Sequence, residues 1–252
     1  MLSFGVSHQL KLDHAEWYSV FGFSASFFMY NIQRFIKENQ SNSKPTNLVK
    51  WLRNHKKQQY FLTGISLMIL ILSFFKIYHS GLIGISILSF SALISLFYVY
   101  QIKKKSLRDI PYLKIHIISF IWIIAIGGFQ LVNENNFELK NWLFVGSHYF
   151  YILAVTIPFD IRDLEFDSPK QKTIPQVLGI KNSKYLSVLS LLVYMALAIF
   201  CKPLLLYNSF FYISLGITLV LFIQQKEKSP ELYCSGLIDS SIFLIGISYL
   251  YV

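Results

Sequence analysis

The sequence predicts an all-α integral membrane protein, a single polytopic domain over residues 1–252. Three observations predict it. Hydrophobic residues make up 54% of the chain and charged residues only 14%, where a soluble domain carries roughly 25% charged residues. The apolar residues gather in blocks of about 16–22, the length that crosses a bilayer core at about 1.5 Å per residue. The blocks are continuous, whereas a barrel needs short alternating segments. Backbone polar groups in lipid must then pair within each segment, and a helix does this.

The elements follow in order. Met1–His14 is too polar and short for a cleavable leader, and too short to span. Eight apolar blocks come next, at 15–35, 60–77, 81–100, 112–132, 141–159, 184–201, 204–223 and 235–252. Between the first two lies a polar stretch with Asn42, Ser43, Pro45 and many lysines, which suits a short amphipathic helix. Three connections are short: Ile77–Ser80, Asn133–Lys140 and Lys202–Tyr207. The alternate connections are longer and more polar, which points to a working face on their side.

Formal net charge is +10. A basic chain can signify nucleic-acid binding, but here the charge is sorted by loop. With the N-terminus outside, the inward loops 34–59, 101–114, 160–184 and 225–236 hold 19 of the 23 Lys and Arg. Lys11, Lys76, Lys140 and Lys202 stay outside. The positive-inside rule selects this orientation. The expectation is a multi-pass protein of the cell inner membrane, with its active site facing the cytoplasm and no nucleic-acid partner. The basic loops also suit attraction to anionic membrane lipid. Cys201 and Cys234 fall on opposite faces in this topology and cannot bridge.

Two helix exits resemble each other. Tyr30-Asn31-Ile32-Gln33-Arg34-Phe35-Ile36-Lys37-Glu38 lies over Phe159-Asp160-Ile161-Arg162-Asp163-Leu164-Glu165-Phe166-Asp167, with only Ile32 and Ile161 identical. Similar exits facing one cavity would be a pseudo-repeat.

Asp160, Asp163 and Asp167 have the spacing i, i+3, i+7. On a continuous helix they fall within about 60° of one face. Like charges so placed repel unless a cation neutralises them. Three carboxylates suit Mg²⁺, which is commonly bound together with substrate phosphates. The plainer alternative is a solvated acidic helix end. Lys170 and Lys172 follow, placed either to meet phosphate oxygens or simply to balance the acids.

Asp160 to Asp167, followed by Lys172-Thr173-Ile174-Pro175-Gln176-Val177-Leu178-Gly179, strongly resembles the second aspartate-rich motif of the UbiA superfamily of intramembrane prenyltransferases. That motif has the form DxxDxxxD, then a basic residue, Thr, an aliphatic, Pro and a closing Leu-Gly. The loop with Tyr100, Lys103, Lys104 and Lys105 is similar to the family's basic central loop. The resemblance covers nearly the whole chain. It implies a helical bundle around a central cavity, with Mg²⁺ held by Asp160, Asp163 and Asp167. It also implies transfer of a prenyl group from a prenyl diphosphate to an aromatic or other lipophilic acceptor. Lys104 and Lys172 would bind the diphosphate.

There are two departures. The family has nine helices, and Met1–His14 reads as a remnant of the first. The family's first motif, NDxxDxxxD, is here Asn31-Ile32-Gln33-Arg34-Phe35-Ile36-Lys37-Glu38-Asn39, with no Asp. Arg34 is then a candidate to neutralise diphosphate in place of a metal, and Asn31 to orient phosphate or water. A snorkelling, positive-inside role for Arg34 is the alternative.

Lesser candidates are Asp239 near the start of the last helix, His148 inside a span, and His116. A hydrogen-bonded packing role for His148 competes with catalysis. The altered first motif leaves a second function open, that of a non-catalytic or repurposed protein binding an isoprenoid or lipid head group. A secondary transporter is a third reading, disfavoured by the scarcity of mid-membrane charge.

Overall fold

The computed structural model describes residues 1–40, 54–78, 81–101, 106–165, 167–230 and 232–251, with the side chains of all but 37–40 and 170. The described residues form helices and turns, with no strand among them. Helix α1 is Leu2–Gln9, α2 Ala15–Gln40, α3 Lys56–Ile77 and α4 Gly81–Phe97. Helix α5 is Leu113–Asn133, α6 Leu139–Arg162 and α7 Ile174–Cys201. Helix α8 is Ser209–Gln224 and α9 Tyr233–Tyr251.

The greater part of each apolar block lies on one of the helices from α2 to α9. Helices α3, α5, α7 and α9, and α6 with the turn that follows it, are long and apolar enough to cross a membrane. Helices α4 and α8 are apolar but shorter, at 17 and 16 residues. The amphipathic helix expected near Asn42 lies outside the described residues.

On α3, α4 and α7 small and polar residues are turned inward. On α3 the exposed face carries Phe61, Met68, Leu72 and Phe75, while Gln59, Thr63, Ser66 and Ser73 are buried. Helix α4 buries Gly84, Ser91 and Ser95. Helix α7 buries Ser183, Ser187 and Ser190 along one stripe. Small residues let helices approach closely where lipid removes the hydrophobic drive between them. Their hydroxyls are satisfied locally, as Thr63 Oγ1 donating to Gln59 O at 2.7 Å shows. This pattern, with the five long apolar helices, fits a multi-pass membrane protein.

The first residues form a helix that no apolar block signals. Leu2, Val6 and Leu10 are buried in the main core, and α1 packs against α2, α5 and α9. Gly5 and Gly246 meet backbone to backbone: a Cβ on Gly5 would stand 2.2 Å from Gly246 O, and one on Gly246 2.5 Å from Leu2 N. Polar ties fix the register. Ser7 Oγ donates to Gln130 Oε1 at 2.5 Å, and Gln9 Nε2 to Tyr249 O at 2.7 Å.

Helices α6 and α7 form the most extensive pair. Pro158 lies inside α6 and has no N–H for the carbonyl four residues earlier, that of Ala154. Ser187 on α7 supplies the missing donor, its Oγ 2.6 Å from Ala154 O. Between α6, α7 and α9 the interior is filled by Phe144, His148, Tyr151, Tyr194 and Tyr249, all buried. His148 Nδ1 faces Phe144 O at 2.9 Å and so carries the proton. Its Nε2 then accepts from Tyr249 Oη at 2.9 Å, and the Tyr194 hydroxyl closes the chain on Tyr249. His148 thus has the hydrogen-bonded packing role, its lone pair and proton both committed.

Candidate functional site

The site is built from two loops at one end of the bundle. One runs from Ser106 into the first turn of α5, and the other from the end of α6 to the start of α7. In the first loop Ser106 donates to Asp109 Oδ2 from both its backbone N–H and its hydroxyl, each at 2.8 Å. The second loop joins it: Gln171 Nε2 donates to Asp109 Oδ1 at 2.9 Å, and Tyr112 N–H to Gln171 O at 3.2 Å. Burial alone would raise the Asp109 carboxyl, but these hydrogen bonds outweigh it and hold the group below its ordinary value.

The second loop is ordered by its own turns. Helix α6 stops at Arg162, and a 3-10 turn covers Asp163–Glu165. Asp167 N–H then reaches back to Asp163 O at 2.8 Å. Gln176, in the first turn of α7, donates to Asp167 O at 3.1 Å and accepts from Thr173 N–H at 3.0 Å. Gly179 breaks α7 with φ 75° and ψ 165°, a conformation open in practice only to glycine. The Leu-Gly that closes the motif is therefore a hinge between a short first turn and the long helix.

At the junction stands Lys114. Its ammonium is 2.8 Å from Asp160 Oδ1 and 2.5 Å from Asp167 Oδ2. The Asp160 contact is close but not aligned as a hydrogen bond. Arg108 Nη2 lies 3.0 Å from the other oxygen of Asp167. The side chains of Asp160 and Asp167 are only 2% and 4% exposed. Two carboxylates and two cations make a neutral cluster, the condition under which buried charges persist.

The structure therefore departs from the sequence reading of the three aspartates. They do not share one helix face, because α6 ends before Asp163 and Asp167 stands in the loop beyond. Asp160 and Asp167 come together, but around Lys114. Asp163 turns aside to Arg162 Nε at 2.7 Å. Among the described residues, no three of His, Cys, Asp and Glu are grouped to hold a metal ion. In this arrangement the three carboxylates do not fit Mg²⁺, because an ammonium already occupies the place between two of them.

The first exit is arranged differently. Arg34 lies over the ring of Tyr30, 4.1 Å from its centroid, and donates to the Tyr30 hydroxyl at 2.7 Å. It pairs with none of the three aspartates among the described residues. Asn31 is buried and donates to Phe27 O of its own helix at 2.8 Å. Gln33, not Arg34, crosses to α4, donating to Ser95 O at 2.9 Å. Lys172 is exposed, with its backbone in the left-handed region at φ 46°. Lys104 and the side chain of Glu38 lie outside the described residues.

Asp239 is preceded by a π-helical turn, Tyr233–Ile238, and so lies deeper in α9 than the sequence suggested. His116 pairs its Nδ1 with the Tyr149 hydroxyl. Cys201 and Cys234 are both buried and free. Cavities of about 510 and 390 Å³ are present, and none of the three aspartates lines either.

Lys114, Arg108, Asp109 and Gln171 are the site residues that sequence reasoning missed. A signal existed for one of them. Lys114 stands inside the apolar run 112–132, and a charge within a span usually has a partner in the fold. Comparison with family models, curated proteins and solved structures finds no match for the chain.

Proposed function

We propose that the chain is a membrane-embedded prenyltransferase of the UbiA kind, moving a prenyl group from a prenyl diphosphate to an aromatic or other lipophilic acceptor. One observation carries the reading. The segment from Asp160 to Gly179 stands at the end of a buried helix, clamped to a loop that supplies Arg108 and Lys114. Lys172, exposed at this end, offers positive charge to a diphosphate. The apolar helices keep water from an allylic cation. A carboxylate of the segment would accept the acceptor's proton. No step is assigned to Mg²⁺, for which the carboxylates as arranged leave no place.

A second reading has its own support. Lys114 between Asp160 and Asp167, together with an Arg34 held on Tyr30, favours a repurposed relative that binds an isoprenoid or lipid head group without turning it over. The test is diphosphate release from a prenyl donor in nanodiscs across a Mg²⁺ series. Release supports the transferase. Binding without release supports the relative, and neither sinks both. Orientation is tested separately: a reporter after Asn136 should read outside the cytoplasm and one after Gln171 inside. The reverse result would place the segment on the wrong face.

A further inference from the structure

The opposite end of the bundle holds a cavity of about 510 Å³, lined among others by His8, Lys11, Leu12, Lys202, Pro203 and Leu204. Sequence makes this the end poor in positive charge. It has four Lys and Arg against 19 at the other, yet two of the four, Lys11 and Lys202, line one cavity.

The close partners of Lys202 are neutral. Lys202 is half-buried at the end of α7, its ammonium 3.1 Å from Asn141 Oδ1 and 5.6 Å from the centre of the Phe144 ring. Those partners carry no net charge. Burial pushes the Lys202 ammonium below its ordinary value; Glu138 and Cys201 pull it back up, and Lys11 and Lys140 add smaller downward pushes. An anion in the cavity would offset the burial and the repulsion from Lys11. Lys11 is exposed at the turn that leaves α1, free to swing towards such an anion.

The rim is apolar. Phe200, Leu204, Leu206 and Tyr207 are all more than half exposed at the end of α7 and in the turn Pro203–Tyr207. Aromatic and aliphatic groups beside lysine ammonium groups are the surface met by the head-group zone of a bilayer. A small soluble anion would use the lysines and leave this rim idle.

We propose that the cavity between α1 and the Pro203–Tyr207 turn is a binding site for an anionic phospholipid, its phosphate between Lys11 and Lys202 and its chains along Leu204 and Phe200. The site needs nothing from the acidic segment at the other end.

The test is native mass spectrometry of the full chain from nanodiscs containing phosphatidylglycerol. The comparison is among wild type, Lys202→Gln, Lys11→Gln and the double variant, with Lys76→Gln, at the same end but not lining the cavity, as the control. The expected result is one retained phosphatidylglycerol fewer per chain in the double variant and in Lys202→Gln, with Lys76→Gln unchanged in this lipid. Lys11→Gln, an exposed change, tests the site should Lys202→Gln fail to fold. Equal lipid counts in wild type and every folded Lys11 or Lys202 variant would overturn the proposal. So would inorganic phosphate displacing that lipid, since the site would then belong to a soluble anion. Equal retention of phosphatidylcholine would overturn the role of charge.

Discussion

Lys114 Nζ lies 2.8 Å from Asp160 Oδ1, so the acidic segment carries its counterion on a neighbouring helix. Removing one partner of such a pair leaves a charge stranded in a poor solvent, at a cost of about 3–5 kcal/mol. Lys114→Met should lower thermal stability in detergent by this amount. The double variant Lys114→Met, Asp160→Asn should recover a large part, because the stranded charge is gone. If the two changes simply add, the pair has no coupling and the cluster is two independent contacts.

Pro158 and Ser187 make a second pair of this kind. Ser187→Ala should leave Ala154 O without a donor in the packed interior between α6 and α7. The expected loss is about 1–3 kcal/mol. A Pro158→Ala partner restores an N–H to the same carbonyl, so Ser187→Ala should cost less on that background. Chemical unfolding of the four proteins measures the difference.

The hinge at Gly179 gives a sharper test of backbone geometry. With φ 75° and ψ 165°, any side chain is strained there, although open space surrounds the position. Gly179→Ala should destabilise by about 1–3 kcal/mol. A neutral result would mean that the first turn of α7 straightens into the helix at no cost.

Asp109 should show in the acid limb of stability. Its folded pKa is below the ordinary 3.8. Its contribution is therefore complete above about pH 4–5 and is lost as pH falls through the folded value. In Asp109→Asn, stability near neutral pH should be lower, and its decline below pH 4 shallower than in wild type. Parallel acid limbs in the two proteins would show that Ser106 and Gln171 do not favour the charged carboxylate.

The helices were legible because lipid leaves few solutions, so a continuous apolar block must be a helix; of the eight expected spans, five lie, among the described residues, on helices long and apolar enough to cross, and α2 is not one of them. The acidic segment was legible as residues and not as geometry. The i, i+3, i+7 spacing puts the aspartates on one face only if α6 continues past Arg162. Instead Asp163 pairs with Arg162, and Asp167 N–H closes an isolated turn on Asp163 O. Lys114 counted as one more basic residue at a membrane boundary, and only the packing of α5 against α6 gives it Asp160. Helix α1 was hidden for a different reason. Its eight residues include Ser3, Gly5, Ser7 and His8, too few apolar groups for any periodic signal, and what orders it is the face it meets.

That face has a consequence for how the protein is made. Gln9 and Tyr249 are bonded across 240 residues of chain, and Gly5 lacks its closest backbone neighbour until Gly246 has been synthesised. Helix α1 can meet α2 and α5 as soon as those are made, but its seat against α9 forms only afterwards. A ribosome stalled before α9 would leave α1 half seated. The seating of α1 is thus a late event, open to detection by crosslinking a cysteine near Gly5 to one near Gly246 as the nascent chain lengthens.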